Sequence, residues 1–99
     1  MSAPPARRSL KQWGAGMPKV ASFDGIQIVF YHNEHPPAHF HAVYAEHRAV
    51  IEIGTMTMTE GYLPITQRRK VLAWARARKI QLIRAFVQAA THMHPENIP

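Results

Sequence analysis

The sequence contains no cysteine. Disulfides and thiolate metal sites are therefore excluded, and burial must supply the stability of the fold. A reducing cytoplasm is the compartment that fits. Acidic side chains are scarce, with six Asp and Glu against twelve Lys and Arg and a formal charge of +6. Such an excess concentrates anions around a small body, so nucleic acid or an acidic protein is the expected partner. Long apolar runs are missing too. Nothing approaches the roughly 20 residues of a membrane helix, and the N-terminus lacks an apolar signal core, so no membrane association is expected. The 99 residues suffice for one domain with one modest core.

What the chain has in concentration is histidine. Four of its seven histidines fall within His32-Asn33-Glu34-His35-Pro36-Pro37-Ala38-His39-Phe40-His41, immediately before a segment with the pattern of a strand. Residues 1–17 hold Pro4, Pro5, Arg7, Arg8 and Lys11 with only Leu10 and Trp13 as sizeable apolar groups before Met17. They read as a flexible basic arm, with Met17 an alternative start. Lys19 to Phe23 gives a short first strand, and Asp24-Gly25 is a turn signal before alternating Ile26, Ile28 and Phe30. Pro36 and Pro37 cannot donate ladder hydrogen bonds and force an extended loop.

His39 to Ile53 reads as a hairpin turning at Ala45-Glu46, which sets Tyr44 opposite His47 and His39 opposite Glu52. The two-residue period then gives Phe40, Ala42, Tyr44, Ala49, Ile51 and Ile53 to the core face, and His39, His41, Val43, Arg48, Val50 and Glu52 to the other. Thr55 to Thr59 fits an edge strand or a loop. From Thr66, an acceptable N-cap, nothing breaks a helix until about residue 91. Val71, Leu72, Ala75, Leu82, Ile83, Phe86, Ala89 and Ala90 fall on an arc of about 120°, a core-facing stripe. Lys79 interrupts it, so either one helix runs on with Lys79 snorkelling or a helix pair breaks near Arg78-Lys79. Arg69, Lys70, Arg76, Arg78 and Arg84 form a basic outer surface.

Strands followed by helix, without alternation, predict an α+β fold. The expectation is a small antiparallel sheet of three to four strands, packed on one face by a C-terminal long helix or helix pair. One domain spans residues 18–94 with a short tail at 95–99, and the histidine face lies on the side away from the helices.

Three uses of the histidines compete. As acid and base in phosphodiester cleavage, His35, His39 and His41 are the candidate catalytic groups, with Arg48, Glu52 and Tyr44 as substrate contacts and no cofactor. As a metal site, the donors are His35, His39 and His41 with Glu52, or Glu34, as the oxygen ligand. The spacing matches neither the helical His-Glu-x-x-His arrangement nor a zinc finger, so a metal-free site is expected. As structure, the rings hydrogen-bond backbone in a loop poor in regular pairing.

The segment also resembles a known family. Gly25-Ile26, Tyr31, Glu34-His35 followed after three residues by His39-Phe40-His41, Tyr44 with Glu46, Ala49-Val50-Ile51-Glu52-Ile53, Gly61-Tyr62-Leu63-Pro64 and Trp74 are similar to the small bacterial proteins of domain-of-unknown-function family 4160. Ala38 departs from that pattern, which has a proline there. The resemblance implies a toxin-like or regulatory role in a paired module of the toxin–antitoxin type, with a small antitoxin-like protein as partner; together with the positive charge and the shared histidine face it makes RNA the expected substrate. A non-catalytic module docking a small acidic partner is the alternative.

Overall fold

Alternation of apolar and polar residues yields five strands rather than three or four. In the computed structural model, which describes residues 18–32 and 34–99, they are β1 (Lys19–Phe23), β2 (Ile26–Val29), β3 (His39–Tyr44), β4 (His47–Glu52) and β5 (Thr57–Gly61). Two helices follow, α1 (Ile65–Arg76) and α2 (Lys79–Ala90). The basic arm expected over residues 1–17 lies outside the described residues. All strand pairs are antiparallel, and the sheet runs in sequence order from β1 to β5. The additional strand is β5, an edge strand of mostly exposed residues. Thr57-Met58-Thr59 does alternate, and Met58 turns partly to the core, but with Glu60-Gly61 following, the run is too short to separate an edge strand from a loop.

The β3–β4 register is the expected one, with Tyr44 opposite His47 and His39 opposite Glu52. Ala45, at the turn, takes φ 52°, the left-handed backbone that tight hairpin turns require. Gly61 ends β5 at φ 82°. A Cβ there would overlap the carbonyl oxygen of Arg48, which accepts a hydrogen bond from the Tyr62 N–H at 2.9 Å. This close approach steers the chain off the sheet and into α1.

Ile26, Ile28, Phe30, Phe40, Ala42, Ala49, Ile51 and Ile53 pack with Leu63, Val71, Ala75, Leu82, Phe86 and Ala89 into one core. The helical segment is a pair, broken where Ala77 and Arg78 leave helical hydrogen bonding. Side chains fix the break: Arg78 Nη1 donates to the Trp74 carbonyl (2.9 Å), and Lys79 Nζ donates to the Gly54 carbonyl (3.2 Å). Trp74 itself rests on Phe23 of β1, with ring centroids 5.2 Å apart. The break resets the helical phase, which corrects two expectations. Ile83 is 41% exposed rather than core-facing, and Ala85 is buried in its place. Helix α1 also begins two residues early, at Ile65, with Pro64 in the N-cap position instead of Thr66.

Residues 95–99, expected as a tail, return to the body. Pro95 and Ile98 are buried, and the Ile98 N–H donates to the Val20 carbonyl at 2.8 Å. The separation of histidines from helices is also incomplete. His39 opens β3 where α2 packs against that strand, and its ring lies 5.4 Å from Phe86. Among the described residues, no helix is long and apolar enough to cross a membrane.

Candidate functional site

Strand β3 and the loop before it bring together one carboxylate and two imidazoles. His39 and His41 are two residues apart on the strand and so share a side, and their rings meet edge to face at 5.4 Å. The loop through the cis Pro36-Pro37 peptide carries Glu34 back over them. His39 Nδ1 donates to the Pro37 carbonyl (2.8 Å), while its Nε2 contacts Glu34 Oε1. His41 Nε2 stands 3.5 Å from the same carboxylate oxygen and makes no hydrogen bond to it. One donor atom from each of Glu34, His39 and His41 lies within 4.8 Å of the others.

Burial sets the charge of this group. His41 is 9% exposed, and desolvation pushes its imidazole down to about 4, with the Glu34 carboxylate opposing and His39 and Arg48 adding to the effect. At neutral pH His41 is an uncharged ring. Tyr31 packs against it edge to face, with centroids 4.2 Å apart. Burial raises the Tyr31 phenol above its ordinary value, Arg48 opposing and Glu34 adding, so the hydroxyl keeps its proton.

Two adjoining hollows run across this region. One of about 380 Å³ is lined by Glu34, His35, His39, Glu52 and Thr59, and the other, about 280 Å³, by Tyr31, Arg48, Ala49 and Gly61. His41, Val50 and Glu60 line both, and the two form one groove with a histidine–carboxylate end and a tyrosine–arginine end. Charge is segregated across the molecule. The groove holds Glu34, Glu52 and Glu60, whereas residues 65–90 carry Arg68, Arg69, Lys70, Arg76, Arg78, Lys79 and Arg84 without an Asp or Glu.

Among the expected site residues, His39 and His41 converge. Glu52, across the pair from His39, and Arg48 line the groove. His35 is exposed on its wall and contributes no donor to the convergent set. The turn of the loop presents its neighbour Glu34 instead. Tyr44 sits at the far end of β3, where its ring covers Gly25 and borders the core, and does not line the groove. Tyr31 and Glu60 were missed. Tyr31 continues the phase of Gln27 and Val29, so alternation along β2 would have placed it on the groove side. Glu60 faces Val50 through the β4–β5 pairing, which depended on recognising β5.

No curated protein and no solved structure matches the chain. The profile of a domain of unknown function, DUF4160, matches residues 25–87, a span holding strands β2 to β5, the convergent triad, all of α1 and most of α2. On that match, which covers well over half of its length, the chain belongs to the DUF4160 family.

Proposed function

We propose that the domain acts on RNA as the toxin-like or regulatory member of a paired module, with the groove as its working site. The observation that carries this reading is the convergence of Glu34, His39 and His41 at one end of a groove whose other end holds Tyr31 and Arg48. Cleavage of a phosphodiester needs groups that accept and return protons beside the attacking and leaving oxygens, and a cation facing the phosphate. The triad supplies the first and the Arg48 guanidinium the second. Aromatic Tyr31 lines the groove and offers ring surface against which a base can pack. The cations of residues 65–90 add a long-range attraction for a polyanion.

Induced expression tests the reading. The wild-type protein slows growth and fragments cellular RNA, and Glu34→Gln removes both effects while the protein still accumulates. Unaltered growth with intact RNA in the wild type rejects the proposal.

A second reading, docking of a small acidic protein, is favoured by the outward side of α2. Ile80, Ile83 and Val87 are 72%, 41% and 53% exposed at the spacing of a single helix face, beside Arg84. A helix apolar on both sides is built to be covered on both. The partner then co-purifies with the wild type and is lost from the Ile80→Asp, Val87→Asp double variant. Retention of the partner by that variant counts against docking on this face.

A further inference from the structure

Glu34, His39 and His41 are arranged in a way that the protein atoms alone leave incomplete. The His39 Nδ1–H is committed to the Pro37 carbonyl at 2.8 Å, so in the neutral ring the Nε2 lone pair is turned towards Glu34 Oε1,. Two acceptors then face each other. His41 Nε2 looks at the same oxygen from 3.5 Å, is buried, and has no hydrogen-bond partner among the described residues. Buried imidazole nitrogens ordinarily find a partner. One cation between the three atoms would satisfy both lone pairs and the carboxylate together.

We propose that Glu34 Oε1, His39 Nε2 and His41 Nε2 form a binding site for one divalent transition-metal ion of the zinc class. Bonds of about 2.0–2.2 Å to a tetrahedral ion place ligand atoms roughly 3.4 Å apart. The His41–Glu34 separation of 3.5 Å already matches, and the set spans no more than 4.8 Å. Glu34 is on a loop with its side chain 21% exposed, so its carboxylate has room to withdraw from His39 as an ion enters. The Pro37 carbonyl fixes the ring orientation and tautomer of His39, as the outer partner of a metal-bound histidine does. Glu52 and Glu60 line the same groove and add negative potential that favours a cation. With no cysteine in the chain, the donors are imidazole and carboxylate, which suit zinc and iron(II) and leave coordination open towards the groove for water or substrate. This deepens the RNA-directed reading by assigning the triad to hold an ion, which would supply an activated water in place of the proton transfer the three side chains could perform without it. The use of the ion in that chemistry rests on that reading, whereas its binding does not.

The test is a competition titration of the untagged full chain, stripped with chelator, against a chromophoric zinc indicator at neutral pH. Wild type takes up one equivalent of Zn²⁺. Glu34→Gln and His39→Ala each weaken binding roughly a hundredfold or more, while His35→Ala stays close to wild type. Glu34→Gln changes a partly exposed loop side chain and keeps the fold, which circular dichroism verifies, so loss of binding there is not loss of structure. Absence of stoichiometric uptake by the wild type overturns the proposal, as does uptake that survives both Glu34→Gln and His39→Ala. Zinc binding without RNA cleavage refutes only the RNA-directed reading, and RNA cleavage undiminished in chelator refutes the use of the ion in that chemistry.

Discussion

Acidifying the metal-free protein should destabilise it through one buried ring. His41 is held at about 4 in the folded state against an ordinary 6.5, chiefly by burial. The unfolded chain therefore takes up a proton at this residue as pH falls through about 6.5, while the folded chain resists until about 4. Between those values the unfolded state binds more protons. Stability is thus full above about 6.5, declines towards 4, and loses nothing further from this group below that. The gap between 6.5 and about 4, at about 1.36 kcal/mol for each tenfold change in proton affinity, gives about 3 kcal/mol, an upper figure for a side chain that is 11% exposed. This is a large share of the roughly 5–15 kcal/mol that holds a small domain together. Urea unfolding in chelator across this pH range, on wild type and on His41→Gln, measures the effect. The difference between the two stability curves isolates His41 from the carboxylates. Curves that stay parallel as pH falls, or a wild type that gains on the variant, would refute the burial argument.

Two further outcomes follow from packing. Gly61→Ala sets a methyl group against the Arg48 carbonyl oxygen at a φ of 82° and should cost about 2 kcal/mol or more; a change in unfolding midpoint worth under about 0.5 kcal/mol would mean that β5 is not pinned there. Ile98→Ala removes a residue that is 6% exposed within the core and should cost about 2 kcal/mol or more by denaturant titration, whereas a neutral result would return residues 95–99 to the status of a tail.

The hairpin was legible because its two-residue turn and its alternating Phe40, Ala42, Ala49 and Ile51 admit one register without exposing the core. The same rule placed His39 and His41 together. The break near Arg78 was visible as one of two alternatives, since Lys79 falls in the middle of the apolar stripe. Its effect on Ile83 and Ala85 was not, because a reset of helical phase depends on the geometry of the break. The third donor was harder still. Glu34 and His35 are adjacent, and the path of the Pro36-Pro37 loop decides which of them turns towards β3. Burial of His41 likewise depends on Tyr31, which lies just past the end of β2, ten residues earlier in the chain.

Anomalous diffraction from zinc-loaded crystals of the protein, recorded on both sides of the zinc edge, tests the central claim most directly. One anomalous peak should lie between Glu34 Oε1, His39 Nε2 and His41 Nε2, at about 2.0–2.2 Å from each. Density without a peak at that point, or a peak held instead by His32 and His92, whose rings stack 6.1 Å apart on the exposed surface, would contradict it.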